Sequence, residues 1–552
     1  MATRAGRPAA TTLPFECTDR TRARNLPDMP PFQPVLLGIA VIALVVALTA
    51  VARRLPIPSP ILHVMAGLAL GFVPALRVPE LEPEIVFFVF LPPIIWYSAF
   101  FTSVREFKQN LLPIGLLAVG LVFVTTAVVA ITARELLPGL PWAVAIAIGA
   151  IVSPPDAVAA AAIVSRLPVP RRVVVILEGE SLVNDAAALV LYRTAVAAAV
   201  TGAFSLGEAV VRFFIDAAVG ALIGIMIGWL VIRAVRLTKD ALPETLLTLA
   251  APYLAWIAAE SIHVSAVLAC VAGGMHVRQH FSTAVSPMSR LQSRAVWEMF
   301  VFVINALIFL LLGLQFGPLL KQVPPGTLPS VLWSGVLISI VAVVVRLLWV
   351  PLATFLPRRL SAEVRRRDPL PNPKGVALVA WTGMRGIVSL AAALGLPLVL
   401  STGTPFPYRA EIIIITMCVI MITLVLQGLT LSPIIKRFAF APEHTHRVEE
   451  RHARREALRR GVERLDDLSR EPWAHAADVA LLRHELRDRM ELHERHGSGS
   501  PTQQRLRSGV LEAERRMLVR LRNEGAISDE TLRELESELD HEAVRFGAGD
   551  LR

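Results

Sequence analysis

The chain has 552 residues, of which 54% are hydrophobic and only 18% charged, against about 25% charged in an ordinary soluble domain. The charge is unevenly placed: residues 441–552 hold 21 Lys/Arg and 24 Asp/Glu, whereas residues 1–440 hold only 34 and 21. The first part is too apolar to coat a water-soluble globule, and the second is too polar to sit in lipid. The net charge of +10 gives no nucleic-acid signal, because the tail stands at −3 and the surplus lies in short loops between apolar runs.

In chain order, residues 1–34 form a lead-in without the apolar core of a signal peptide. A bilayer core needs about 20 mostly apolar residues per helix. Thirteen such runs follow: 35–52, 57–75, 83–101, 111–132, 141–164, 172–201, 208–233, 243–259, 261–277, 295–317, 328–352, 374–398 and 410–432. Most are apolar all round, which fits helices in lipid. The expected fold is an all-α polytopic membrane protein with a transmembrane domain over 35–440 and a helical tail over 441–552.

Lys and Arg collect in loops on the cytoplasmic side. Alternate connections, starting with the first, carry 21 Lys/Arg, and the other set carries 5. This predicts an N-terminus outside and the tail in the cytoplasm of a multi-pass plasma-membrane protein. Arg4, Arg7, Arg20, Arg22 and Arg24 oppose that orientation; a translation start at Met29 would remove them. If spans 1–6 and 8–13 are equivalent, the odd offset of seven makes the copies inverted, as in many secondary transporters. Such repeats carry broken helices at matching places. Span 5 holds Ser153-Pro154-Pro155-Asp156, and its equivalent, span 12, holds Gly383-Met384-Arg385-Gly386.

Ionisable groups inside the membrane are functional candidates. They are Asp156 in span 5, Glu178, Glu180, Asn184 and Asp185 in span 6, Glu298 with Asn305 in span 10, Arg346 in span 11 and Arg385 in span 12. Ser181 and Asp185 are four apart and share a helix face, so a hydroxyl and a carboxylate meet one small cation. Two prolines before Asp156 free backbone carbonyls, which suit a hard cation. Arg385 cannot lose its charge and needs a buried anion; Glu180 is the candidate. The plainer reading of Asp185 is a structural carboxylate held by Arg385. Glu298 and Asn305, seven apart, share a face that hydrogen-bonds a neighbouring helix. Arg346 reads as a snorkelling or packing arginine. His276 and His280 have metal spacing but no carboxylate beside them at a loop edge. Cys17, Cys270 and Cys418 form no motif. No phosphate-cradling sequence or nucleophile–base set appears, so neither an ATP-driven pump nor an enzyme is expected, nor any cofactor or resident metal.

Five motifs in order give the chain a family likeness. They are Phe90-Leu91-Pro92-Pro93-Ile94-Ile95, Ser153 to Ala159, Glu178 to Asp185, Trp297-Glu298 with Asn305, and Arg385-Gly386-Ile387-Val388-Ser389-Leu390. Over about residues 35–440 the chain resembles the monovalent cation/proton antiporter family, in its bacterial sodium/proton exchanger branch. The resemblance implies that Asp185 is the transport carboxylate, and that Asn184 before it marks the electroneutral branch. It further implies that Asp156 is the acid of the unwound helix, and that Glu180 and Arg385 form a buried ion pair. It also implies a homodimer, with a core domain that moves against a dimerisation domain. Two departures stand out: Asp156-Ala157 where many members have Asp-Pro, and Trp96-Tyr97-Ser98 where many have an acid.

The expected function is exchange of a monovalent cation, Na+ first, for H+ by competition at Asp185. The rivals are K+/H+ exchange on the same fold and a passive cation channel. In the tail, Val510 with Met517, Leu511 with Leu518, and Leu532, Leu535 and Leu539 form apolar stripes. Gly497-Ser498-Gly499-Ser500-Pro501 reads as a hinge.

Overall fold

The computed structural model describes residues 33–55, 57–73, 85–164, 167–202, 206–238, 240–321, 323, 326–440, 444–496, 501–524, 526–528 and parts of 531–542. The lead-in arginines, Met29 and residues 497–500 of the expected hinge lie outside these. The chain divides into two compact units between Phe440 and Ala441. Among the described residues both are helical, apart from one isolated bridge between Val399 and Pro405.

The first unit begins with Gln33–Arg54, Ser59–Gly71 and Val86–Phe101. Leu111–Leu136, the broken pair Trp142–Val152 and Ala157–Val164, and Arg171–Thr201 follow. After Leu206–Thr238 come Ala241–Glu260, Ala266–Ala284, Pro287–Leu320 and Leu328–Leu360. The unit closes with a second broken pair, Pro373–Trp381 and Ile387–Leu394, and with Arg409–Phe438. By length and apolarity alone, six described helices can cross a bilayer: Leu111–Leu136, Val211–Thr238, Ala241–Glu260, Met288–Leu320, Leu328–Leu360 and Arg409–Phe438. Four shorter helices are also apolar: Gly38–Ala52, Ser59–Gly71, Val86–Phe101 and Trp142–Val152.

Small residues let backbones touch where a hydrophobic drive between helices is absent. Ser59–Gly71 packs along Pro287–Leu320 through Gly67 and Gly71 on one side and Gly313 and Gly317 on the other. A Cβ on any of the four would collide with the facing backbone. Leu206–Thr238 meets Ala266–Ala284 in the same way through Gly220 and Gly224, which lie against Ser265 and Ala269.

Two segments are wound as π-helix, one of them just where prolines withdraw backbone donors. Val86–Phe90 is a π-helix just ahead of Pro92 and Pro93. A second π segment, Leu116–Leu121, lies within Leu111–Leu136. There the Leu116 carbonyl accepts a hydrogen bond from Trp349 Nε1 of Leu328–Leu360 at 3.0 Å.

The tail unit contains His444–Leu468, Ala476–His496 and Pro501–Asn523. Of the expected stripes, Leu511 and Leu532 are buried, whereas Val510 and Met517 are exposed. The Val510–Met517 stripe is therefore a solvated face rather than a seam.

Candidate functional site

The first broken helix stops at Val152 because Pro154 and Pro155 have no N–H to continue it. Ser153 turns its hydroxyl back to the Ala150 carbonyl at 3.1 Å. The chain then runs without regular structure to Asp156, and Ala157–Val164 resumes the helix. The second helix breaks over Thr382–Gly386 between Trp381 and Ile387.

The two breaks bind each other. The Asp156 N–H donates to the Met384 carbonyl at 2.6 Å. Arg385 Nε donates to the Val152 carbonyl at 3.1 Å, which puts a cation at the negative end of the first half-helix. Arg385 also reaches the Gly383 carbonyl, and its own N–H is received by Thr423 Oγ1 at 3.1 Å. Gly386 is required at this crossing, because the Asp156 carboxylate occupies the place a Cβ would take.

Glu180 is 1% exposed, and its carboxylate is gripped by both terminal nitrogens of Arg346, at 2.5 and 2.8 Å. Arg346, also 1% exposed, further donates to the Val379 carbonyl at 3.1 and 3.2 Å. The expected Glu180–Arg385 pair is therefore corrected: Arg346 takes Glu180, and Arg385 spends its donors on the carbonyls of the broken helices. The reading of Arg346 as a snorkelling residue is corrected with it. Gly383 makes room, since a Cβ there would strike Arg346 and Arg385.

A cavity of about 440 Å³ lies beside this crossing. Asp156, Ser181 and Asp185 all line it, so three of the four expected ion-binding residues converge. The fourth, Asn184, does not line it. One position from Asp185 is a rotation of about 100° on a helix, and Asn184 Nδ2 instead donates to the Pro155 carbonyl at 3.1 Å. Glu178 and Asn305 reach the cavity, as does Tyr97. Among the described residues no hydrogen bond or ion pair holds the Asp185 side chain, which is half-buried on the cavity wall.

Glu298 does not join Asn305. It is exposed and pairs with Arg294 at 2.8 Å, four residues back on the same helix. Seven residues keep a face but travel about 10 Å along the axis, enough to leave the cavity. Sequence reasoning passed over His63, which also lines it, as does Ser98. His63 belongs to no pattern; Tyr97 and Ser98 were signalled only as part of Trp96-Tyr97-Ser98, which stands where many members have an acid. His276 and His280 stack at 4.6 Å, and the described residues hold no group of three metal-ligating side chains.

The comparisons with known proteins give the family. The family model "Sodium/hydrogen exchanger, transmembrane" matches residues 40–437. An uncharacterized Na+/H+ exchanger of Mycobacterium tuberculosis is 32% identical over 522 residues, covering 92% of this chain and 95% of the relative. A sodium, potassium, lithium and rubidium/H+ antiporter of Bacillus subtilis is 34% identical over 410 residues, covering 72% of this chain and 61% of the relative. The solved sodium proton antiporter MjNhaP1 of Methanocaldococcus jannaschii superposes with a TM-score of 0.58 at 19% identity, covering 75% of this chain and 100% of that one. The chain belongs to the sodium/hydrogen exchanger family of integral membrane transporters.

Proposed function

We propose that the protein exchanges Na+ for H+ electroneutrally at Asp185, by alternating access across the plasma membrane. The observation that carries this is the convergence of Asp156, Ser181 and Asp185 on one cavity beside two interlocked helix breaks. A carboxylate there holds a proton or a cation but not both, so one ligand must leave before the other binds. A loaded site crosses as a neutral unit, whereas an empty buried anion is too costly to move. One charge each way makes the exchange electroneutral. Asn184 supports the rigidity this needs by tying the helix that carries Asp185 to the first break.

Thirteen spans in inverted halves, with the N-terminus outside and the tail cytoplasmic, belong to the same reading. The loop-charge asymmetry supports it. So does the packing: Ser59–Gly71 lies on Pro287–Leu320, and their counterparts at the offset of seven, Ala266–Ala284 and Val86–Phe101, also lie together. The homodimer implied by the family likeness is part of the proposal, and cross-linking in native membranes tests it.

Proteoliposomes decide the matter. Sodium-dependent proton movement without net current is expected from the wild type and is expected to vanish in Asp185→Asn. Wild-type exchange in that variant would refute the mechanism. A K+/H+ reading has one specific support, the potassium in the name of the Bacillus subtilis relative. Sodium, lithium and potassium compared in the same vesicles separate the two.

A further inference from the structure

His63 stands on Ser59–Gly71, is 1% exposed, and lines the same cavity as Asp156 and Asp185. Its Nδ1 lies 2.7 Å from the Ser59 carbonyl oxygen. A carbonyl only accepts, so Nδ1 carries the hydrogen and Nε2 is the basic nitrogen. That Nε2 is buried and makes no hydrogen bond of normal geometry, although the Val45 backbone also lies against the ring. A buried lone pair left unmet is costly, and at a cavity wall it is met by a water's hydrogen or by a proton.

The surroundings decide what a proton there would do. His63 shares the cavity wall with Tyr97 from Val86–Phe101, Asp156 from the first break, and Glu178 and Asp185 from Arg171–Thr201. Among the described residues Gln33–Arg54 and Pro287–Leu320, both packed on its helix, bring Thr49 and Asn305 as polar side chains to the cavity, and the Val45 backbone lies against the ring. Arg409–Phe438 packs there too and gives the cavity no side chain; Ala157–Val164 gives Ala161. Among the described residues the wall otherwise has no basic side chain. Protonation of His63 would add the one positive charge to a cavity of acids.

We propose that His63 is the proton-switched wall of the ion cavity and sets the acid limit of exchange. Neutral, its Nε2 accepts from the water shell of the entering cation. Protonated, the imidazolium neutralises the acids and repels the cation, so low pH closes the site in addition to direct competition at Asp185. This rests on the antiport reading above.

The test measures the apparent KM for sodium in proteoliposomes of the full chain between about pH 5.5 and 8.5, which brackets the ordinary histidine range. Competition at one carboxylate raises KM at most about tenfold per pH unit; a second proton makes the rise steeper toward the acid end. His63→Gln keeps an acceptor but takes no proton. It is expected to show a KM at least about fivefold below wild type at the acid end. A His63→Gln profile that superposes on wild type overturns the proposal. A second readout uses histidine-labelled wild-type protein and NMR, with the His63 signal assigned by its loss in His63→Gln or His63→Phe. Its titration is expected to move to lower pH in sodium chloride relative to choline chloride, and an unmoved titration overturns the proposal. Absence of any cation-dependent proton movement in the wild type would refute antiport instead, and the titration still decides His63.

Discussion

Two acids on the Arg171–Thr201 helix, five residues apart, live opposite lives. Glu180 is sealed from water and clamped by both ends of the Arg346 guanidinium. Asp185 opens onto the cavity, and among the described residues no hydrogen bond or ion pair holds it. Five positions turn a helix by about 140°, so one helix presents one acid to the scaffold and the other to the ion path. A buried carboxylate with a permanent partner cannot exchange it, and one without a permanent partner can take a cation or a proton in turn.

The largest effect should come from breaking the clamp. Glu180→Ala or Arg346→Ala leaves an uncompensated buried charge, which costs about 3–5 kcal/mol. Folded protein in membranes is expected to fall severely in each single variant and to recover in part when both are replaced by Gln and Met. Normal yield with lost transport in Glu180→Ala would move Glu180 from scaffold to ion path. Next in size, Gly386→Ala forces a Cβ onto the Asp156 carboxylate. It is expected to leave a folded protein whose exchange rate falls at least about tenfold, the scale of about 1.4 kcal/mol. An unchanged rate would show that the crossing does not position Asp156. Asn184→Ala removes one hydrogen bond to the Pro155 carbonyl, worth about 1 kcal/mol, and should lower thermal stability modestly and exchange severalfold. Smallest is Glu298→Gln. An exposed pair four residues apart contributes about 0.5 kcal/mol or less, and exchange should stay within about twofold of wild type. A larger loss would return Glu298 to the ion path.

The helix breaks were legible because Pro154-Pro155 and Gly383-x-x-Gly386 announce themselves through missing N–H groups and missing side chains. The acids on the cavity were legible through their rarity in apolar runs and the four-residue spacing of Ser181 and Asp185. The partner of Glu180 was not. Arg346 and Arg385 lie on neighbouring spans, and the choice depends on carbonyls freed at the breaks, which no spacing reports. Glu298 misled because helical periodicity gives the face and says nothing of depth along the axis. His63 stayed hidden because a single histidine in an apolar helix looks like core until its Nε2 is found without a hydrogen bond of normal geometry.

The most direct test is proton release from the purified full chain on addition of sodium chloride in weakly buffered solution near neutral pH, with choline chloride as control. Competition at Asp185 requires about one proton released per sodium bound, and none in Asp185→Asn. Sodium binding without proton release in the wild type, or undiminished release in Asp185→Asn, would contradict exchange at this aspartate.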